Sequence, residues 1–306
     1  MLARVARLYY EHDLTHQQIA EILGVSRVKV TRMLAEARRK GIVEIRVIGD
    51  SHTFRDLESQ LIERFGLLDA WVVPSSSDPE RLSASLGSGG AHALRGLLAN
   101  GMTVGVNQSQ SVASILGALG TDEPQFDAQF VPLVGSRGGT GVTNAHETSE
   151  ALARAFGGHA HHLPAPVITS TSEAARVLAG EPGIAQTLDL AARADISIVG
   201  IGVPNSDSYL VREGLLTKRG VADLAAKGVA GDISARCFDA HGTPVDVPYA
   251  DRIIGLTLQQ HLAIPTRIAL AGGEVKRPGI LAAARGLLAN VLVTDVETGT
   301  WLVAQP

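Results

Sequence analysis

Apolar positions in the first fifty residues recur at helical spacing, whereas the rest of the chain sets short β-branched runs between longer helical stretches. In the first part, Ile19, Ala20, Leu23, Val25, Val30 and Met33 form one apolar seam shared by two short helices on either side of Gly24. Glycine tolerates the positive φ that such a turn demands, small Ala20 lets the second helix cross closely, and Ser26 stands where an N-cap belongs. The stretch Val5–Tyr10 predicts a first helix that packs its apolar side beneath the pair. After Gly41, alternation of apolar and polar residues up to Ile48 predicts a short strand or wing. A further helical stripe, Phe54, Leu57, Leu61, Ile62 and Phe65, predicts a helix that packs on a larger domain and can help join subunits. No sustained heptad run or internal repeat follows, so an extended coiled coil is not expected.

From residue 70 the rhythm changes. Candidate strands are Ala70–Val73, Thr103–Val106, Gln129–Val134, Ile196–Val199, Arg267–Leu270 and Val291–Thr294, most of them separated by Ala- and Leu-rich helical segments. That alternation predicts an α/β domain with a largely parallel sheet covered by helices. Ligands of such sheets gather at the carboxyl ends of the strands, which directs attention to the loops that follow these runs. Two domains are expected, residues 1–50 and 51–306, because 306 residues are too many for the helical head alone.

Charge sharpens the division. Residues 1–50 hold nine Lys or Arg against six Asp or Glu, a balance of +3, while the whole chain is −4, so the remainder carries −7. The head therefore favours polyanions. A charged helical face usually does no more than meet water, but here the cations fall on the second helix of a capped helix-turn-helix. Behind the capping Ser26, itself a DNA-binding candidate, Arg27, Val28, Thr31 and Arg32 are the candidates to meet base edges of duplex DNA, and Lys29, Arg38, Arg39 and Lys40 to meet phosphates, with Arg46 on the wing touching the backbone. A single cysteine, Cys237, excludes an intramolecular disulfide and reads as a small core residue beside Phe238. Without a signal-peptide pattern or long apolar span, a reducing cytoplasm is the expected compartment.

Four loops look built for a polar, anionic ligand. After the second run, Gly105, Asn107, Gln108, Ser109 and Ser111 supply backbone, amide and hydroxyl groups, followed by a helical stretch Val112–Leu119 whose first turn adds unsatisfied N–H groups. After the third, Gly135–Asn144 is glycine-rich and offers the forked cation of Arg137. Near the fourth, Gly200–Asn205 includes Gly202, where small residues leave room for a ligand. Between the last two, Ala271–Gly279 ends a strand and opens a helix, with Gly273 and the expected anion contact Lys276. One glycine loop is explained by a tight turn alone, whereas four at equivalent strand ends favour a binding cleft.

These motifs are specific in combination. Ala6-Arg-Leu-Tyr-Tyr10, Gln18-Ile-Ala20, Ser26-Arg27 and Gly41-Ile-Val43 in the head occur with Leu163-Pro-Ala-Pro166, Gly200-Ile-Gly202, Gly231-Asp-Ile233, Phe238-Asp239 and Gly272-Gly273 followed by Lys276. With them the chain resembles, over nearly its whole length, the SorC family of bacterial transcriptional regulators, also called the SorC/DeoR sugar-binding group. The resemblance implies a winged helix-turn-helix head and a Rossmann-like effector domain of the sugar-phosphate isomerase and deaminase type. It also implies a sugar or phosphosugar effector, assembly as dimers or tetramers, and control of genes for carbohydrate uptake or breakdown. Carried onto this chain, residues 105–111 surround ligand oxygens and Lys276 lies near a phosphate. Asp232 falls in a matching motif, as does Asp239, which is read at least as readily as structural. Where many members have Gly-Val-Ser-Trp-Gly-Arg-Thr, this chain has Gly105-Val-Asn-Gln-Ser-Gln-Ser111, so an aromatic wall becomes Gln108 and a cation becomes Gln110. More amide and less positive charge suits hydroxyl groups better than doubly charged phosphates, which keeps an unphosphorylated sugar or polyol open beside a monophosphate.

Two other classes compete. A phosphosugar isomerase or deaminase is the chief rival, with Glu274, Asp232 and Asp239 as acids or bases and Lys276 as a Schiff-base former, but such an enzyme has no need of the head. A constitutive DNA-binding protein with a vestigial cleft is the third reading. No cofactor is expected, and His159, His161 and His162 suggest a strand and its turn rather than a zinc site, since no further ligand pattern accompanies them.

Overall fold

The computed structural model describes residues 1–10, 14–40, 42–43, 54–136, 144–205, 208, 211 and 216–306, with the backbone alone of Arg38. The chain divides into two compact units, Met1–Thr53 and Phe54–Pro306.

The first unit is a helical trio, α1 (Leu2–Tyr10), α2 (His16–Leu23) and α3 (Arg27–Arg39). Thr15 starts α2 with a capping box, its hydroxyl accepting from the Gln18 N–H while the Gln18 side chain accepts from the Thr15 N–H. Gly24 ends α2 at φ 64°, the left-handed conformation its lack of a side chain permits. Val5, Ile19, Ala20, Val30 and Leu34 are buried between the three helices, so the seam of the sequence is the core of the unit. Of the expected wing only Ile42 and Val43 are described, their N–H groups donating back to the Ala37 carbonyl; Arg46 lies outside the described residues.

The second unit is built on a seven-stranded sheet in the order β1-β9-β8-β5-β2-β3-β4, with every pair parallel. The strands are β1 (Asp69–Val73), β2 (Thr103–Val106), β3 (Gln129–Pro132), β4 (His159–Ala160), β5 (Ile196–Gly200), β8 (Thr266–Leu270) and β9 (Val291–Asp295); β6 (Gly231–Ile233) and β7 (Arg236–Phe238) form a separate antiparallel hairpin. Strands β2 and β5 are buried at every position, as a parallel sheet covered on both faces requires. Beyond β3 the expected strand does not continue: Val134 pairs in antiparallel fashion with Gly255 instead. From β2 the chain works outward through β3 and β4, then crosses to the other side of β2 to lay down β5, β8 and β9. This reversal parts the crossover loops above β2 and β5 and opens a crevice at their carboxyl ends.

Two helices pack on the sheet, and the second of them borders the crevice. Helix α4 (Arg55–Phe65) buries Leu61 with Leu57, Ile62 and Phe65 alongside, and the Glu58 carboxylate accepts from the Val72 N–H at 2.9 Å. Helix α5 (Pro79–Leu97) lies on the sheet through a glycine face. A Cβ on Gly87 would stand 2.3 Å from the Ser114 carbonyl oxygen, and one on Gly90 would stand 2.5 Å from Leu270. The segment touched by Gly87 is helical for only Gln110–Ala113 before it tightens into a 3-10 turn over Ser114–Ala118. The longer helix expected over Val112–Leu119 does not form, and so short a helix lends little dipole to its first turn.

Candidate functional site

On the head, Ser26 caps α3 as its position implies, its hydroxyl accepting from the Lys29 N–H at 3.2 Å. Ser26, Arg27, Val28, Lys29, Thr31 and Arg32 are all exposed, and Val28 leaves 69% of its surface uncovered despite being apolar. Thr31 is partly committed, its hydroxyl lying 3.2 Å from both His16 Nδ1 and the Arg27 carbonyl oxygen. Arg39 and Lys40 are exposed near the end of α3, where Lys40 pairs with Glu36 at 2.8 Å. The Lys40 ammonium holds the Glu36 carboxyl below its usual value. An exposed helix face with cations, one hydroxyl and one aliphatic side chain matches what a major groove offers: acceptors, phosphates and the thymine methyl.

In the second unit a cleft of about 1120 Å³ opens above β2 and β5. Asn107, Gln108, Ser109 and Ser111 line one side, and Gly202 and Asp232 line another with Gly273 and Lys276. Of the expected effector residues, these eight are brought together. Gly105 is not among them. It sits inside β2, where a Cβ would stand 2.3 Å from the Leu133 side chain, so its smallness serves packing beneath the cleft. Arg137 lies outside the described residues.

The site is held by a few bonds. The Asn107 N–H donates to the Ile198 carbonyl across the β2/β5 boundary at 2.9 Å, and its side-chain oxygen accepts from the Ser234 hydroxyl at 2.9 Å. Gly200 makes room for Ser109, since a Cβ there would lie 2.1 Å from the Ser109 hydroxyl oxygen. Gln108 is the outlier: both polar atoms of its amide are buried without a hydrogen-bond partner, as is the Ser208 hydroxyl on the same cleft. Buried polar atoms left unpaired cost about 1–3 kcal/mol each, a cost that a ligand bearing hydroxyl groups removes.

Asp232 reaches the cleft from the β6–β7 hairpin. Its backbone pairs with Gly202 in both directions at 2.9 and 3.0 Å, and any Cβ at Gly202 would lie 2.1 Å from its carboxylate. Burial pushes the Asp232 carboxyl up to about 6, against the opposing pull of the Ala235 N–H and the Lys276 charge. A carboxyl raised in the folded state favours folding in full only below its unfolded value near 4, and that contribution is lost as pH rises through about 6. Asp232→Asn is therefore expected to melt above the parent chain at pH 7.5, with the gap shrinking toward pH 5 in thermal unfolding curves. A variant that melts below the parent at both pH values would contradict this.

Sequence reasoning missed two supports of the site. The turn of the hairpin, Ser234 and Ala235, holds two non-glycine residues at φ 53° and 63°, with Ser234 bonded to Asn107 and the Ala235 N–H to Asp232 at 3.2 Å. Asp295 is 2% exposed and accepts from the Ser75 hydroxyl and the Gly273 N–H, both at 2.7 Å, and from the Thr298 N–H at 3.1 Å. Burial raises its carboxyl, but these bonds outweigh it and leave the value lowered. An Asp directly after a β-branched strand and ahead of a helix was the available signal. Asp239 is structural: Oδ1 accepts from the His241 and Thr243 N–H groups at 2.9 Å within a turn.

The histidines do not converge. His159 is exposed in the short strand β4, His161 Nε2 lies 2.8 Å from Gln129 Oε1, and His162 packs edge-on against His146. Among the described residues no group of three or more His, Cys, Asp or Glu is placed to hold a metal ion, and no helix is long and apolar enough to cross a membrane. Buried Cys237 lies 3.2 Å from the Tyr249 hydroxyl, and burial pushes its thiol up to about 12.

Comparison with known proteins extends both sites to a family. A family model described as "Putative sugar-binding domain" matches residues 51–304, and one described as "Crp-like helix-turn-helix domain" matches residues 2–59. The transcriptional regulator LsrR of Klebsiella pneumoniae subsp. pneumoniae is 32% identical over 99% of this chain and 93% of its own length. The deoxyribonucleoside regulator of Bacillus subtilis is 33% identical over 97% of this chain and 95% of its own. Among solved structures, the full-length sorbitol operon regulator SorC from Klebsiella pneumoniae superposes with a TM-score of 0.77 at 28% identity, over 99% of this chain and 97% of that one.

Proposed function

The chain belongs to the SorC/DeoR type of transcriptional regulators, a DNA-binding helix-turn-helix followed by a sugar-binding domain, and from that premise we propose how its two units divide the work. Residues 1–50 read operator DNA and residues 51–306 bind a small carbohydrate and join copies of the chain into a dimer or tetramer. In the head, Arg27, Val28, Thr31 and Arg32 meet base edges, while Lys29, Arg38, Arg39, Lys40 and Arg46 fix register on the phosphates. In the cleft, Asn107, Gln108, Ser109, Ser111, Asp232 and Lys276 surround the effector. The orphaned amide of Gln108 in the crevice between β2 and β5 is the observation that carries the assignment. The relatives are transcriptional regulators, which sets aside the isomerase reading that the fold alone left open.

Control follows from linkage. An effector that binds one arrangement of subunits more tightly than another shifts the spacing of paired heads, and operator affinity changes by the same factor as effector affinity. The genes governed are those for uptake or breakdown of the carbohydrate, and the work is done in the cytoplasm. The test is fluorescence anisotropy of the full chain on labelled DNA from upstream of its own and neighbouring genes, at low salt, with and without a panel of sugars, polyols and their phosphates. Specific retention that one member of the panel changes is the expected result. Lys276→Ala should retain the DNA and lose the response. Failure to retain any fragment, with or without the panel, would remove the proposal.

A further inference from the structure

The charge of the cleft restricts its occupant. Asp232 and Asp295 stand on its walls and Glu274 and Glu297 at its rim, and among the described lining residues Lys276 is the single Lys or Arg set against them. Arg277, outside the lining, faces Glu297 at 3.6 Å. Two helix starts beside the cleft are also taken, whereas those at Gln110 and Glu274 carry no side-chain cap. Asp78 accepts from the Glu80 N–H at the head of α5, and Asp295 accepts from the Thr298 N–H at the head of Val296–Val303. At these two starts carboxylates occupy the positions from which helix N–H groups would otherwise grip phosphate oxygens. A phosphate dianion entering this space meets acceptors facing acceptors.

Hydroxyl groups meet the opposite. Asp232 accepts from a hydroxyl donor, and the Gln108 amide, buried and unpartnered at both ends, donates to and accepts from hydroxyl oxygens. Resting on the reading of this cleft as the effector site, we propose that its occupant is an uncharged polyhydroxyl compound, a free sugar or a sugar alcohol. It is held by donation to Asp232 and two-way bonding to Gln108, and its phosphate ester is rejected. The sign of the charge decides this: hydroxyls donate to the Asp232 carboxylate and satisfy the unpaired Gln108 amide, whereas esterification adds two negative charges beside carboxylates.

The experiment is calorimetric titration of the full chain at pH 7.5 with erythritol, ribitol, sorbitol, ribose and fructose, each beside its terminal monophosphate. At least one neutral compound is expected to bind about ten-fold or more tightly than its ester, and Gln108→Ala and Asp232→Asn each to weaken that compound by about ten-fold, the scale of one hydrogen bond. Thermal melts of both variants control for folding. Tighter binding of an ester than of its parent, abolished by Gly202→Val, overturns the neutral-ligand inference and leaves the cleft as the site. Equal binding in parent and Gln108→Ala or Asp232→Asn chains overturns the assigned contacts. No binding by any member at about 10 mM overturns the reading of the cleft itself.

Discussion

A chain carrying Arg27→Ala and Arg32→Ala together is expected to lose about 2–6 kcal/mol of operator binding, if each arginine makes one bidentate base contact worth about 1–3 kcal/mol and the two add. Both side chains are exposed, on successive turns of α3, and neither belongs to the apolar seam that folds the head. The melting curve should therefore stay with the parent while anisotropy on operator DNA collapses toward the level of random DNA. Retained discrimination between operator and random sequence in the double variant would move base reading away from these arginines.

Gly87→Ala is expected to do the reverse, leaving the head intact and damaging the cleft. The added Cβ would stand 2.3 Å from the Ser114 carbonyl oxygen and 2.5 Å from its carbon, and because these are backbone atoms no side-chain rotation relieves the contact. Helix α5 and the segment that runs on from Asn107–Ser111 must separate. Overpacking of this kind costs about 1–3 kcal/mol, and in a domain this size each kcal/mol lowers the melting temperature by about 2–4 °C. Carbohydrate binding should weaken with it. Gly96→Ala is the matched control: it lies on the same helix with nothing within 4 Å, and should be neutral or stabilising through helix propensity. Equal melting of the two variants would show that the close approach at Gly87 does not matter.

Much of the architecture was legible in the chain because both units obey simple periodicities. The six β-branched runs are the five inner strands β2, β3, β5, β8 and β9 and the edge strand β1, displaced by at most two residues at an end; strands buried on both faces have little choice but to be short and apolar, and β1 keeps the same character while half-buried. Gly24 and Ser26 were legible for the same reason, as local backbone demands determine residue type directly. Contacts between distant segments were not. Gly105 reads as a ligand loop in one dimension and turns out to yield space to Leu133, which no local pattern reveals. The β6–β7 hairpin was invisible because its turn is Ser234-Ala235 where such turns ordinarily use Asn and Gly, and the conformation is imposed by what surrounds it. Asp295 escaped notice because its partners, Ser75 and Gly273, lie 220 and 22 positions away.

That 220-position bond has a kinetic meaning. Ser75 follows the first strand of the sheet and Asp295 ends the last, and among the described residues β1 pairs with β9 alone, so the cleft has no complete wall until β9 is placed. Contacts of such long sequence separation form late, after the entropy of closing the intervening loop has been met. During synthesis the carboxylate that positions Gly273 follows the head by some 240 residues. A nascent chain thus lacks a complete cleft until Asp295 is in place.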